Sequence, residues 1–178
     1  MEQTPSILIE AGVAFGSGAH PSTALLLEIL GVLGPPHDGG QLLDVGCGSG
    51  ILSVTAAKLH TMQVIASDLQ ESAVLQTQRN AELNHVSDRI RCVQADGIRH
   101  PLIAASAPYD IILVNILYKV FLPWLRPLKD FLAPQGQLVL SGVLRWQADS
   151  LEEACVAAGF MKMQRYQKDD WVALCLSD

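Results

Sequence analysis

The chain has 178 residues, of which 49% are apolar and 17% charged, and its 12 basic and 18 acidic side chains give a formal charge of −6. That is one domain's worth of chain, residues 1–178, with enough apolar residue to bury a core, which excludes intrinsic disorder. There is no basic surplus to neutralise phosphates, so nucleic-acid binding is not expected as the main task.

Glu28 interrupts the apolar run at 24–33, and Asp110, Asn115 and Lys119 interrupt the later one. Neither reaches the ~18 to 20 apolar residues of a membrane span. Met1-Glu2-Gln3-Thr4-Pro5 lacks the basic start and apolar run of a secretory signal, so the expected compartment is the cytoplasm. Cys47, Cys92, Cys155 and Cys175 are scattered, with no Cys-x-x-Cys pair and no histidine clustered with them. They read as small buried thiols rather than zinc ligands or a disulfide framework.

In chain order, Leu26, Leu30 and Leu33 recur at helical spacing over 21–33, with Leu25, Ile29 and Val32 on an adjoining stripe. Pro35-Pro36-His37-Asp38-Gly39-Gly40 ends that helix, and 41–45 reads as a short strand running into Gly46-Cys47-Gly48-Ser49-Gly50. The pattern then predicts a helix at 51–60, a strand at 64–67 ending in Asp68, a helix at 71–84 and a strand at 90–94 ending in Ala95-Asp96-Gly97. A buried strand at 110–114 ends at Asn115, a helical stretch broken at Pro123 and Pro127 runs to 132, and a strand follows at 136–141. A helix at 147–158 capped by Gly159 leads to strands at 160–166 and 171–176, joined by the polar turn Gln167-Lys168-Asp169-Asp170 and therefore antiparallel. Strand–helix alternation closed by a hairpin predicts an α/β fold: a mainly parallel sheet, helices on both faces, one reversed strand, and a ligand beyond the carboxyl ends of the strands. No internal repeat or linker is visible.

A glycine loop between the first strand and its helix lets backbone approach a ligand closely. A dinucleotide fingerprint starting at Gly46 would place its third glycine on Ile51; the spacing here is Gly46, Gly48, Gly50, led by Asp44, which disfavours a pyrophosphate. The hydrolase elbow and the phosphate-loop lysine are both absent. Asp68 ends the second strand twenty residues past Gly48, where a carboxylate accepts the hydroxyls of a ribose. Asp96 is placed to accept from an exocyclic adenine amine, and Asp44 to receive an ammonium group through a water or the loop. The plain alternative for each is a cap on the following helix.

These residues resemble a class I S-adenosylmethionine-dependent methyltransferase, whose Rossmann-like seven-stranded sheet ends in such a reversed strand. Ala14-Phe15-Gly16-Ser17-Gly18-Ala19-His20-Pro21-Ser22-Thr23, the glycine loop, Val114-Asn115-Ile116-Leu117, Ser141-Gly142-Val143-Leu144 with Gln147, and Trp171 are similar in order to the bacterial ribosomal protein methyltransferase family, PrmA. The resemblance implies S-adenosyl-L-methionine as cofactor, contacts to it from Thr23, Gly46, Asp68 and Asn115, and a protein amine as acceptor. Ser17 and Ser22 stand where the family has threonine, and Ala11-Gly12 where it has Pro-Gly. Family members also carry an amino-terminal domain that recognises the stalk-base ribosomal protein. The catalytic pattern here starts near residue 11, so a catalytic domain without that module is expected.

His20 reads as a helix cap, Phe15 as either an adenine contact or a hydrophobic staple, and Trp171 as core. Asn115, whose strand-end amide must find partners, is the candidate catalytic residue. Methyl transfer is an in-line displacement that asks an enzyme to align a neutral nucleophile at about 3 to 3.5 Å and to exclude water, so a dedicated base is not required. The leading reading is a protein amine methyltransferase; a small-molecule methyltransferase and a non-catalytic cofactor-binding module are the alternatives.

Overall fold

The computed structural model describes residues 6–10, 18–33 and 39–178. The Ala14-Phe15-Gly16-Ser17 stretch, Ala11-Gly12 and the break at Pro35-Pro36 lie outside the described residues.

Helix α1 (Pro21–Val32) precedes β1 (Gln41–Val45), α2 (Ile51–His60), β2 (Gln63–Asp68), α3 (Glu71–Leu83), β3 (Ile90–Gln94), α4 (Pro101–Ala105) and β4 (Tyr109–Asn115). Helix α5 (Tyr118–Phe121), the 3₁₀ turn Leu122–Trp124 and α6 (Leu125–Asp130) then lead to β5 (Leu132–Leu144), the 3₁₀ turn Arg145–Gln147, α7 (Ala148–Ala157), β6 (Lys162–Lys168) and β7 (Trp171–Ser177). The sheet order is β3-β2-β1-β4-β5-β7-β6, with β7 antiparallel to both neighbours and the other pairs parallel. The chain moves outward from β1 in one direction and from β4 in the other, so a crevice opens beyond the carboxyl ends of these two adjacent strands.

Both faces of the sheet are covered, and side-chain alternation divides the core in two. Leu43, Val45, Ile112 and Val114 face Ile103 of α4, Phe121 of α5, Leu125 and Leu128 of α6 and Leu151 of α7. Leu42, Ile111, Leu113 and Val139 face Leu26 and Leu30 of α1 and Val54 and Ala57 of α2.

Several boundaries differ from the sequence reading for identifiable reasons. Val32 is 75% exposed, because α1 meets the sheet through the stripe of Leu25, Leu26, Ile29 and Leu30 and Val32 falls to one side of it. Helix α4 was not expected: it has five residues, too few for periodicity to show, and starts with Pro101 at its first position and the His100 side chain accepting from the Leu102 amide at 3.1 Å. Pro127 does not break a helix but sits in the first turn of α6, where its missing N–H costs no intrahelical bond. The final turn is tighter than four residues, since Lys168 pairs with Trp171 and only Asp169 and Asp170 span the hairpin, Asp169 at φ 53°.

Tyr109 is fully buried, and its hydroxyl donates to the Ile103 carbonyl at 2.7 Å, tying α4 to β4. Tyr109→Phe leaves that carbonyl without a partner in an apolar setting, with an expected loss of about 1 to 2 kcal/mol in urea unfolding and no change in the slope of the transition.

Candidate functional site

The crevice at the β1/β4 switch is a cleft of about 820 Å³. Its floor is built by the glycine loop. Gly46, Gly48 and Gly50 all have positive φ, which folds the chain back on itself directly after β1. The Gly46 and Cys47 amides donate to the Ser67 carbonyl at 2.8 and 3.0 Å, and a Cβ on Gly46 would lie 2.4 Å from the Ile116 side chain.

Asp68, at the end of β2, is half-buried in the wall. One of its carboxylate oxygens accepts the Gly48 amide at 3.0 Å and the other the Gln70 amide at 2.9 Å. An ionised carboxylate offers about four acceptor positions, so two remain for a pair of ligand hydroxyls. Asp96 lies beside the apolar part of the cleft formed by Leu69, Ala73, Ala95 and Trp124, with Trp124 packed against Gly97. Asp96 is not a helix cap, since His100 caps α4; it is exposed and pairs with Arg99 at 3.2 Å.

Asn115 ends β4 at the opposite side of the loop and lines the cleft with Ile116, Leu117 and Gly142. Its Nδ2 donates to Thr23 Oγ1 at 3.2 Å, so Thr23, fully buried in α1, lies behind Asn115 rather than in the lining. Gly142, at the bulge of β5, has φ +80°, and a Cβ there would meet the Ile116 carbonyl oxygen at 2.2 Å. This close approach fixes the backbone that follows Asn115. Trp171 does not sit wholly in the core: it lines the cleft and meets His20 edge to face at 4.6 Å between ring centroids. His20 caps α1, its side chain accepting from the Ser22 amide at 3.3 Å.

Asp44 and Gly50 also lie outside the lining. Gly50 packs on Thr77 of α3. Asp44 alternates with Val45 onto the sheet face that carries α2, is 1% exposed, and accepts from Ser53 Oγ at 2.6 Å. Its other oxygen has no hydrogen-bond partner among the described residues. Burial pushes the carboxyl up to about 6, opposed by the Ser53 hydrogen bonds and reinforced by the negative charge of Asp68.

Thr77 and Asn80, which belong to no motif of the sequence, hold the floor from below, and Asn84 at the end of α3 bonds to the Asn80 carbonyl. Thr77 Oγ1 lies 3.2 Å from the Gly48 carbonyl, and Asn80 Nδ2 donates to the Ser49 carbonyl at 2.8 Å. The signal was a polar stripe recurring at helical spacing beside Ala73, Val74 and Ala81, the buried apolar residues of α3. The four cysteines are buried or half-buried, and burial pushes Cys92 and Cys155 up to about 12 and Cys175 to about 11, which keeps these thiols protonated.

Residues 2–178 match the family model described as ribosomal protein L11 methyltransferase (PrmA). The chain belongs to this family. Similar PrmA relatives are the ribosomal protein L11 methyltransferase of Mesorhizobium japonicum, 36% identical over 96% of this chain and 59% of its own length, and that of a Caulobacter species, 34% identical over 97% and 59%. A solved structure named as a ribosomal protein L11 methylase, from Lactobacillus delbrueckii subsp. bulgaricus, superposes with a TM-score of 0.79 at 28% identity, covering 95% of this chain and 83% of the other. The chain thus spans about 60% of the length of the curated PrmA relatives it matches. Among the described residues, no helix is long and apolar enough to cross a membrane.

Asp44 gives the fold a pH dependence of definite sign. The folded carboxyl, near 6, binds its proton more tightly than the unfolded one, near 3.8, so its ionisation cost is absent below about pH 4, builds as pH rises from there and is complete once pH has passed through 6. At about 1.4 kcal/mol per pH unit that cost is roughly 3 kcal/mol. Asp44→Asn keeps the acceptor for Ser53 and removes the titration. The stability difference, variant minus parent, measured by urea unfolding should therefore rise by about this amount between pH 4 and pH 7.

Proposed function

We propose that this chain binds S-adenosyl-L-methionine in the cleft and methylates an amine of a protein in the cytoplasm, ribosomal protein L11 being the acceptor named for its relatives. The observation that carries the reading is the placement of Asp68 and Asn115 on opposite sides of one glycine-floored cleft.

The residues present fit the cofactor. The spare acceptor positions of Asp68 suit the ribose hydroxyls, and the apolar wall of Leu69, Ala73 and Trp124 with Asp96 at its margin suits adenine and its amine. Gly46 and Gly48 present backbone without side chains along the path between, and Asp44 stabilises the loop through α2. When bound, S-adenosylmethionine supplies a sulfonium methyl group that a nucleophile can take by direct displacement.

Nδ2 of Asn115 is committed to Thr23, so the side-chain carbonyl is the end that can accept a hydrogen bond from an incoming amine. That bond orients the nitrogen lone pair along the attack direction. Thr23 is the positioning residue for this amide, and Gly142 for the Ile116 backbone beside it. A lysine amine has to be neutral to attack, and the apolar surface of Ile116, Leu117, Val120 and Trp171 shifts its equilibrium toward the neutral form by desolvation. An acceptor seated on this surface covers it and displaces water from that end of the cleft.

Two substitutions separate binding from chemistry. Asp68→Ala removes charge-assisted acceptors worth roughly 1.5 to 3 kcal/mol, so calorimetry with S-adenosylhomocysteine should show affinity lower by about ten- to a hundredfold. Asn115→Ala should lower single-turnover methylation by about a hundredfold at saturating cofactor while weakening cofactor binding only a few-fold, because an orienting contact acts chiefly as the transition state forms. Isotope-labelled cofactor incubated with the chain, ribosomal protein L11 and a cell extract identifies the acceptor. Label on a protein amine is the expected result; label on a small molecule, or none transferred, would overturn the assignment.

A further inference from the structure

Below the glycine loop, two fully or almost fully buried asparagines of α3 and its cap join the loop to a segment far from it in sequence. Residues 6–10 run across this region, and Asn84 grips Leu8 at two points, its Oδ1 accepting the Leu8 amide at 2.9 Å and its Nδ2 donating to the Leu8 carbonyl at 2.6 Å. Asn84 Nδ2 also lies 2.7 Å from the Asn80 carbonyl, and Lys58 Nζ donates to the Ser6 carbonyl at 2.8 Å. Asn80 carries the connection onward: its Oδ1 accepts the Glu10 amide at 3.0 Å, and its Nδ2 donates to the Ser49 carbonyl inside the glycine loop at 2.8 Å.

We infer that Asn80 is a positioning residue that couples the docking of segment 6–10 to the conformation of the glycine loop, so that the segment's attachment sets how firmly the loop holds its ligand. The chemistry of the two ends dictates the amide's orientation, because a backbone N–H can only donate and a backbone carbonyl can only accept. Each end therefore has one backbone partner, and the side chain is 0% exposed, with no solvent to replace either. If the Glu10 amide is withdrawn, Oδ1 becomes an unsatisfied acceptor, and any shift of the side chain toward another donor or toward water draws Nδ2 away from Ser49. The loop then loses one of the donors that hold it, the one on the Ser49 carbonyl. Linkage makes the effect mutual: a ligand that orders the loop tightens the attachment of segment 6–10 by the same factor.

This coupling rests on the cofactor-binding reading only where ligand affinity is the readout; exchange of the loop amides in the ligand-free chain is independent of it. Glu10→Pro deletes the amide that Asn80 accepts and changes no residue of the cleft, and Leu8→Pro deletes the one that Asn84 accepts. Asn80→Asp keeps an acceptor for Glu10 but cannot donate to Ser49. Hydrogen exchange of the Ser49, Gly50, Ile51 and Leu52 amides, with thermal unfolding to establish folding, should be faster by about three- to tenfold in all three variants. S-adenosylhomocysteine affinity should fall by a similar factor. Glu10→Pro added to Asn80→Asp should bring no further change in loop exchange, since the path is already cut. Loop exchange and affinity as in the parent, in a folded Glu10→Pro or Leu8→Pro chain, would overturn the coupling. A parent that binds no S-adenosylhomocysteine while loop exchange still follows Glu10 would instead overturn the cofactor assignment and leave the coupling standing.

Discussion

The hydrogen bond from the Gly48 amide to Asp68 is the interaction on which the rest of the cleft depends. Parallel pairing brings Val45 opposite Ser67 and ends β1 and β2 side by side, and beyond that point the chain has to turn at once without filling the space it leaves. The loop achieves this by spending its first two amides on Ser67 and its third on Asp68. One contact thus closes the floor and orients the carboxylate that faces the cleft. The arrangement has an electrostatic cost. Burial beneath α2 raises the Asp44 carboxyl, the nearby charge of Asp68 adds to the shift, and one Asp44 oxygen has no donor among the described residues.

Polar groups in the interior of this molecule work at a distance from the surface they shape. Asn115 faces the cleft, but its amide is held by Thr23, 92 residues away on α1. Asn80 sits beneath the loop, and with Asn84 it binds the segment at residues 8–10. A buried amide tolerates one placement of its neighbours, because misplacing a partner leaves a desolvated donor or acceptor costing about 1 to 3 kcal/mol. Apolar packing on either face of the sheet sets where the helices lie to within a side chain's adaptability, and these amides set which backbone atoms meet. Gly142 adds a steric version of the same restriction, with no room for a Cβ beside the Ile116 carbonyl.

Much of this was legible along the chain. Strands at 41–45 and 90–94 and the helix at 51–60 fall where alternation and turn residues place them, and the reversed last strand follows from a hairpin too short to cross the sheet. The place of Asp68 beside the glycine loop was legible because it combines a strand end with a fixed spacing from that loop. Helix α4 was not, having too few residues for a period, and neither was the partial exposure of Trp171, since a single aromatic at the start of a strand has the same local pattern whether its ring faces helices or an open crevice.

The residue order by itself determined the α/β alternation, the mainly parallel sheet with its reversed strand, and the edge at which a ligand site forms, because these follow from local periodicity and from the crossover that a parallel connection requires, whereas the strand order was set by the tertiary structure. Only the tertiary structure decided which strand-end residues reach the cleft and which stand behind it. Asp44, one residue before the end of β1, and Asp68, at the end of β2, both read as cofactor contacts in the sequence, yet Asp44 points into the layer beneath α2 and Asp68 into the opening. The physical reason is that period-two alternation fixes which neighbours share a face, while the face that helix α2 covers, and the loop backbone that Asn80 and Thr77 hold, are set by contacts between elements tens of residues apart.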